Sequence, residues 1–311
     1  MLILKRIVLL LLFFLASVIY SQEYKKVDTI VSKYPNRFNS PTKLAKRISN
    51  DFKTELQQAR AVYFWIANNV SYDPNESGKF GYEYGDWKEY LKKEKKHNSK
   101  LSSRVISKGI AVCEGYATLF TEVCNHLNIK SKVISGASRT ETKDIGKRFY
   151  SSHAWNIVVI DKKPYLLDVT WGAGSYSTKF KKNVNDFYFL TPPELFINKH
   201  YPDNYKDALL SEKISKESFS NAPLLYKQIF PLIYPNNGIL KKEQKIIKLA
   251  FKCEPGSYAV DYNLDKKQHS LMNFKCINNK IEFEVDISNS MRARELTIFL
   301  DYQTVAKFSL K

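Results

Sequence analysis

The sequence predicts an α+β fold, in which helices pack on an antiparallel sheet and a separate β-rich region follows. Two helical patterns precede an apolar hairpin in the first part of the chain. Beyond about residue 230, apolar and polar residues alternate in short runs, which is typical of antiparallel strands with one solvated face. With 44% hydrophobic and 14% aromatic residues, the 311-residue chain can bury a substantial core.

The first strong helix is predicted over residues 55–69. Its apolar residues recur at spacings of three and four, which puts them on one face: Leu56, Ala59, Tyr63, Ile66, Ala67 and Val70. Thr54 and Gln57 have the spacing of a capping box, and Pro74 lies just beyond the end. This segment therefore carries both the period and the end signals of a helix.

A long polar stretch separates this helix from the second one. Residues 75–103 are interpreted as a surface loop with one short helix near 87–93. The second strong helix begins near Val112 or Cys113 and ends near Leu127. Its predicted buried face comprises Tyr116, Leu119, Phe120, Val123 and Leu127.

A hairpin is predicted next, with strands at 154–160 and 165–170. If Asp161 and Lys162 alone form the turn, the numbers of opposed residues sum to 323. His153 then faces Thr170, and Asp168 is its diagonal neighbour on the same face. Any even-length loop keeps His153 and Asp168 on one face, because side chains alternate with a period of two, whereas an odd loop would separate them.

The C-terminal region is predicted to be a small β-sandwich. Its alternating runs lie near residues 258–264, 281–287 and 296–300. We place this domain at 230–311, after a linker at 201–229 and a first domain at 22–200.

Residues 1–21 are predicted to be a signal peptide. Lys5 and Arg6 precede an apolar run over 7–19, and Ser21 offers a small residue for cleavage. The run is shorter than the roughly 20 residues that a bilayer-spanning helix needs. We therefore expect an exported protein that works in the periplasm, in the cell envelope or outside the cell. The alternative is an uncleaved N-terminal anchor.

The formal net charge of +18 favours anionic surroundings. The lysines are spread along the chain, and only residues 92–96 are densely basic, which indicates diffuse solvated charge. There is no zinc-finger, RNP or basic-zipper motif, so nucleic acid is not a predicted partner. We expect a protein or peptide substrate, with an anionic cell surface as one setting for it.

Four cysteines in an exported protein suggest a disulfide. Cys113 and Cys124 lie on one predicted helix, about 16 Å apart at a 1.5 Å rise per residue, so they cannot pair with each other. Cys253 and Cys276 are the only plausible bridge.

Three side chains are candidates for catalysis. Cys113 begins a helix, where unpaired N–H groups and the macrodipole favour a thiolate and an oxyanion. His153 begins a strand, and Asp168 lies in an apolar run, where a carboxylate is costly unless it has a partner. A thiol, a base and an orienting carboxylate are the groups that acyl transfer through a thioester requires.

No metal or cofactor is predicted, since the sequence contains neither HExxH nor CxxC and no His/Asp cluster at ligand spacing. The remaining histidines are expected at the surface: His97, His126, His200 and His269. Cys124 is expected to be a buried structural thiol.

Four segments in order resemble the transglutaminase-like superfamily, especially its branch of kyphoscoliosis peptidase and bacterial transglutaminase-like proteins. They are residues 59–73 (ARAVYFWIANNVSYD), 113–120 (CEGYATLF), 153–156 (HAWN) and 167–171 (LDVTW). The resemblance covers about residues 55–175. It implies a papain-like core with Cys113 as nucleophile, His153 as base and Asp168 as the group that orients the base.

The resemblance does not choose the substrate, because this superfamily contains transamidases, peptidases, deglycosylating amidases and inactive members. We expect amide hydrolysis rather than crosslinking, since a crosslinking site must exclude water in favour of an amine. The alternative is a non-catalytic binding or scaffold protein of the cell envelope that retains the fold.

Overall fold

The computed structural model describes residues 22–78, 87–226, 230–271, 273–290 and 292–311, and only the backbone of 87–92. The chain divides into two compact units. The first comprises residues up to Ser135 together with His153–Pro192, and the second comprises Gly136–Ser152 together with Pro193–Lys311. The domain boundaries at 200 and 229 stay a prediction.

Helices make up most of the first unit. They are α1 at residues 22–31, α2 at Pro41–Asp51, α3 at Glu55–Asn69, α4 at Trp87–Lys108, α5 at Cys113–His126 and α6 at Val169–Ala173. The bounds of α3 and α5 confirm the two predicted helices. At the start of α3, the Thr54 hydroxyl accepts a hydrogen bond from the Gln57 N–H, as the sequence predicts.

Helix α4 corrects the expectation of a long surface loop, because the 22 residues Trp87–Lys108 form one continuous helix, where only a short helix near 87–93 was predicted. Lysines dominate the first half of this segment and hide its period. The buried positions His97, Leu101 and Val105 nevertheless recur every four residues, which is the spacing of one helix face. Packing of this face against α5 explains why so polar a segment is helical.

The strands of the first unit belong to three small sheets. They are β1 at Ser71–Tyr72, β2 at Ile110–Ala111, β3 at Ser131–Ser138, β4 at His153–Ile160, β5 at Lys163–Leu167, β6 at Gly174–Tyr176 and β7 at Phe180–Lys182. Strand β1 pairs in parallel with β2, and β6 pairs antiparallel with β7. Strand β4 lies between β5 and β3, and the last three residues of β3 belong to the second unit.

The β4–β5 hairpin has the predicted register. Ile160 pairs with Lys163 and Asn156 pairs with Leu167, so opposed residue numbers sum to 323. The turn consists of Asp161 and Lys162 alone, with φ values of 49° and 66°. Positive φ at both central residues is the signature of the two-residue turn whose twist suits an antiparallel hairpin. The even loop keeps His153 and Asp168 close to each other.

Arg60 is a buried cation among the apolar residues in the middle of α3, with 1% of its side chain exposed. Its Nη2 lies 2.6 Å from Asp28 Oδ2 and 2.6 Å from Asp186 Oδ1. Burial opposes the charge, yet the two carboxylates outweigh it and raise the pKa of Arg60. The guanidinium therefore ties α1, α3 and residue 186 together within the first unit.

The second unit is rich in strands and has only two short helices, α7 at Pro193–Phe196 and α8 at Lys216–Asn221, in the part of the chain that the structure describes. Its strands are β8 at His200–Pro202, β9 at Leu224–Leu225, β10 at Leu232–Tyr234, β11 at Ile239–Leu240, β12 at Ile246–Lys252, β13 at Ser257–Tyr258, β14 at Val260–Leu264, β15 at Lys267–Ser270, β16 at Phe274–Lys275, β17 at Lys280–Asp286, β18 at Glu295–Leu300 and β19 at Gln303–Leu310.

Two sheets of the second unit share one apolar core. One has the order β10-β12-β17, and the other has the order β11-β19-β18-β14-β15 with β9 also paired to β19. Leu249 and Phe283 of the first sheet and Ile298 and Phe308 of the second belong to the same buried cluster. The predicted β-rich C-terminal region is confirmed, and the alternation along β17 puts Ile281, Phe283 and Val285 in its core.

A disulfide joins Cys253 and Cys276, while Cys113 and Cys124 are free thiols. The pairing that the sequence left as the only plausible one is therefore confirmed.

Loss of this disulfide is expected to destabilise the second unit. The bridge closes a loop with a sequence separation of 23, for which the chain-entropy model gives about 3 kcal/mol. The double variant Cys253→Ser/Cys276→Ser should therefore unfold at a lower urea concentration, followed by far-UV circular dichroism. A reductant should lower the urea midpoint of wild type to that of the variant and leave the midpoint of the variant unchanged. Equal midpoints for oxidised wild type and variant would contradict the expectation.

Within the described residues, the structure has no helix with the length and apolar character needed to cross a membrane. The predicted signal peptide at 1–21 lies outside those residues.

Candidate active site

Cys113 is the first residue of α5, as the sequence predicts. The preceding residue, Val112, is extended and caps the helix without a side-chain hydrogen bond. The N–H groups of Gly115 and Tyr116 donate to the Val112 carbonyl. In contrast, the N–H groups of Cys113 and Glu114 have no acceptor among the described residues. Two unpaired donors thus lie beside a half-buried thiol.

His153 is the first residue of β4, and 6% of its side chain is exposed. Its Nε2 donates to Asp168 Oδ2 across 2.7 Å. The imidazole also shares a hydrogen bond with the Cys113 side chain. Since Nε2 is engaged by the carboxylate, Nδ1 is the atom that can exchange a proton with the thiol. The three residues that the sequence selects are therefore in contact through one imidazole.

The electrostatics of His153 favour the imidazolium. Burial opposes the charge, but the Asp168 carboxylate and the hydrogen bond with Cys113 outweigh it and raise the pKa of His153 to about 10. Two aromatic rings flank the imidazole, with centroids 6.0 Å away for Trp155 and 5.2 Å away for Trp171. These rings restrict where the imidazole can move and separate it from solvent.

Asp168 is fully buried, and each of its oxygens has a separate partner. Oδ2 accepts from His153, and Oδ1 accepts from the Trp171 N–H across 3.0 Å, so Asp168 is the N-cap of α6. This corrects the predicted strand to residue 170, because β5 ends at Leu167 and Thr170 lies in a helix. The burial of this carboxylate is therefore explained by two hydrogen bonds, whereas the sequence suggested only the one with His153.

Asn156 connects the strand of the base to the helix of the nucleophile. Its Nδ2 donates to the Ala117 carbonyl of α5 across 2.9 Å and to Thr121 Oγ1 across 3.0 Å. Ser131 lies 3.2 Å from the same hydroxyl and donates to the Ile157 carbonyl. Asn156 stands in a recognised segment, yet nothing in its residue type indicated this role, which depends on the fold.

Gly172 permits α6 to approach α3 closely. A Cβ at this position would lie 1.8 Å from the Tyr63 hydroxyl, which itself donates to the Asn185 carbonyl across 2.7 Å. Only glycine allows this contact, and the contact keeps Trp171 and Asp168 at the site.

The other titratable candidates divide into two groups. Cys124 is fully buried, as expected, and His126 is exposed and contacts Thr42. The expectation of surface positions is wrong for His97 and His200, which are 8% and 1% exposed. Packing explains both: His97 lies on the buried face of α4 and contacts Glu114, and His200 stacks on Phe196 at 4.0 Å.

Alkylation should distinguish the two free thiols. Burial raises the pKa of the Cys124 thiol well above its usual range, whereas Cys113 is partly accessible and contacts His153. We expect iodoacetamide at about pH 6 to modify Cys113 alone, because only a thiolate reacts. Mass spectrometry of the intact protein should find one adduct, which Cys113→Ser removes. A rate for Cys113 no higher than that of a cysteine in a short peptide would contradict the predicted pairing.

Comparison with known proteins gives one family match. Residues 42–168 match the model of the transglutaminase-like superfamily. The chain is 26% identical over 305 residues to kyphoscoliosis peptidase of Homo sapiens, covering 93% of this chain and 43% of that protein. It is also 26% identical over 224 residues to cytokinesis protein 3 of Schizosaccharomyces pombe, covering 69% of this chain and 23% of that protein.

The chain thus spans less than half the length of these relatives. Among solved structures, it matches one described as the crystal structure of a TGase with 21% identity, over 55% of this chain and 43% of that one. The TM-score of 0.30 is too low to support a conclusion.

Proposed function

We propose that the protein is a cysteine-dependent enzyme that cleaves or transfers an amide acyl group through a thioester on Cys113. The match of residues 42–168 to the transglutaminase-like superfamily supports this proposal. The observation that carries this proposal is the position of His153, whose imidazole contacts both the Asp168 carboxylate and the Cys113 thiol. A nucleophile, a base and a group that orients the base are the minimum for this chemistry.

In the proposed reaction, the proton of the Cys113 thiol has already moved to His153 Nδ1 before the substrate is attacked, in the protonated state that the surroundings of this imidazole favour. The sulfur then attacks the amide carbonyl carbon, a C–S bond forms, and an electron pair moves onto the oxygen. When the C–N bond breaks, the imidazolium gives its proton to the leaving amine and a thioester remains. In the second half, His153 takes a proton from water, the hydroxide attacks the thioester, and breaking of the C–S bond restores the thiol and releases a carboxylic acid.

The surroundings support each of these roles. Asp168 accepts from Nε2, which fixes the imidazole tautomer and leaves Nδ1 toward the thiol. The unpaired N–H groups of Cys113 and Glu114 are available to an oxyanion beside the sulfur.

We infer hydrolysis in preference to crosslinking. Cys113 is only half-buried, so water can reach a thioester formed on it. A crosslinking enzyme must keep that water away until an amine arrives. The relative named kyphoscoliosis peptidase is consistent with a peptidase-type substrate, a protein or a peptide.

We also propose that the protein works outside the cytoplasm. The N-terminal sequence has the pattern of a signal peptide, and the Cys253–Cys276 disulfide suits an oxidising compartment. The net charge of +18 would favour substrates on an anionic surface.

A cell-envelope extract incubated in H₂¹⁸O with wild type or Cys113→Ala tests the chemistry. Hydrolysis predicts new peptide termini whose carboxylates carry one ¹⁸O, seen only with wild type. Isopeptide bonds with release of ammonia would instead indicate crosslinking. Identical peptide maps for the two proteins would favour the non-catalytic scaffold and refute the proposed enzyme.

A further inference from the structure

A row of aromatic rings leads from the imidazole of His153 toward solvent, and the reaction proposed above leaves it unused. Building on that proposed function, we propose that Trp171, Tyr188 and Phe187 form an aromatic subsite, which binds an aromatic or large aliphatic side chain of the peptide substrate. That side chain belongs to the residue on the amine side of the cleaved bond.

The three rings of the aromatic subsite form a continuous row that begins at His153. The centroid of the Trp171 ring lies 5.2 Å from that of the imidazole. Tyr188 meets Trp171 edge to face at 5.6 Å, with the ring planes 87° apart, and Phe187 meets Tyr188 at 5.1 Å and 89°. Neighbouring rings at right angles leave faces and edges on which a further aromatic ring can pack.

The row becomes more exposed with distance from the imidazole. His153 is buried, Trp171 and Tyr188 are half-buried, and Phe187 is 42% exposed. Phe187 is the only exposed phenylalanine among the residues whose side chains the structure describes. A single exposed apolar side chain is common, but this one continues a row that starts at the proposed base. Aromatic side chains in such a position are typical anchors for a peptide.

The backbone of this row is attached to the active-site helix α6. The Asp168 N–H donates to the Tyr188 carbonyl, and the Asn185 N–H donates to the Gly172 carbonyl, each across 2.9 Å. The Asn185 side chain accepts from the Phe187 N–H across 3.1 Å, which fixes the turn between them. The surface is therefore preformed, so binding does not require this segment to become ordered first.

The proposed reaction indicates which part of the substrate reaches the row. The imidazolium of His153 gives its proton to the leaving amine, so the residue that carries this amine lies beside the imidazole. Two rings flank the imidazole, and Trp155 is 1% exposed whereas Trp171 is half-buried. Of these two rings, Trp171 is therefore the one that can contact the substrate, and Tyr188 and Phe187 extend its surface.

The test captures the acetyl-enzyme with amines, because an amine that attacks the thioester takes the place of the leaving amine. p-Nitrophenyl acetate acetylates Cys113 and releases p-nitrophenol. The amine of L-phenylalaninamide or L-alaninamide then attacks the thioester carbonyl, a C–N bond forms, the C–S bond breaks, and the proton of the amine passes through His153 to the sulfur. Mass spectrometry measures both acetylated amides from an equimolar mixture, so their ratio does not depend on how fast a variant is acetylated.

We expect wild type to acetylate phenylalaninamide about tenfold more than alaninamide. This ratio corresponds to about 1.4 kcal/mol, which partial burial of a phenyl ring can supply. Phe187→Ala and Phe187→Glu, two changes at an exposed position, should each lower the ratio to about threefold or less. Tyr302→Ala removes an exposed ring from the turn between β18 and β19. It is the matched control and should keep the wild-type ratio, and Cys113→Ala supplies the background of direct reaction between ester and amine.

The other outcomes overturn the inference, and p-nitrophenol release separates it from the proposed function. If wild type releases p-nitrophenol faster than Cys113→Ala but acetylates the two amines equally, or neither, the aromatic subsite is refuted and the proposed function stands. A preference that persists in both Phe187 variants, or that Tyr302→Ala also loses, refutes the subsite as well. If wild type releases no more p-nitrophenol than Cys113→Ala, the proposed function fails, and this inference with it.

Discussion

Cys113→Ala is expected to lose amide cleavage and Cys113-dependent ester cleavage by on the order of 10⁵-fold, since removal of the nucleophile leaves only binding and oxyanion stabilisation. Folding should be nearly unaffected. The side chain is half-buried at the first position of α5, where alanine is a good helix former. We expect the unfolding midpoint to shift by no more than a few degrees, about 1 kcal/mol or less. Activity is measured on peptides or p-nitrophenyl acetate and stability by thermal unfolding.

The matched control for this variant is Cys124→Ala on the same helix. Cys124 is fully buried, so its truncation should cost about 1 kcal/mol of stability and leave the catalytic rate intact. We thus expect the loss of Cys113 to affect activity but hardly stability, and the loss of Cys124 to affect stability but not activity. Retained cleavage in Cys113→Ala would refute the proposed nucleophile, and collapse of its fold would indicate a structural thiol.

Asp168→Asn is expected to lower the catalytic rate by about 10⁴-fold while the protein still folds. The amide can present its nitrogen to His153, which selects the wrong imidazole tautomer for proton transfer with Cys113. Its oxygen can still accept from the Trp171 N–H, so the cap of α6 is kept. The rate is measured over pH, and the fold is checked by tryptophan fluorescence.

The pH dependence of this variant follows from the cause of the His153 shift. The carboxylate of Asp168 is the main reason that the pKa of His153 rises to about 10. Removing its charge should move the alkaline limb of the activity profile to lower pH. An alkaline limb at the wild-type position would mean that Asp168 does not control the base.

The stabilising contribution of His153 to the fold should also decrease as the pH rises. The pKa of folded His153 lies above its usual 6.5, so the protonated imidazole stabilises the fold fully below that value and loses this contribution as the pH rises toward about 10. The difference in stability between wild type and Asp168→Asn should therefore be largest near pH 6 and smaller in alkali. The free energy of unfolding of Asp168→Ala should be lower than that of Asp168→Asn by about 1 kcal/mol, because alanine also removes the helix cap.

Local signals in the sequence predicted much of the first unit. The register of the β4–β5 hairpin followed from two facts, the even turn at Asp161-Lys162 and the period of side chains along a strand. The start of α5 at Cys113 followed from apolar spacing. These features depend on neighbours in the chain, which the sequence contains.

Features that depend on distant partners were not predictable in this way. Helix α4 is stabilised by packing on α5, whereas its polar sequence, in which few apolar residues mark a helical period, was interpreted as a loop. Arg60 lies among buried apolar residues of α3, and its partners Asp28 and Asp186 are 32 and 126 residues away. At the site, motifs selected the three residues in contact, but the role of Asn156 depends on the fold.

The two oxygens of Asp168 have a consequence for how this site could change in evolution. One oxygen accepts from His153 and the other caps α6, so a substitution that removes both oxygens is expected to reduce both turnover and stability. Cys113 carries no comparable structural duty. A descendant that gave up catalysis would therefore be expected to lose the cysteine early and to keep the aspartate, and a retained carboxylate beside a missing thiol would identify a retired enzyme.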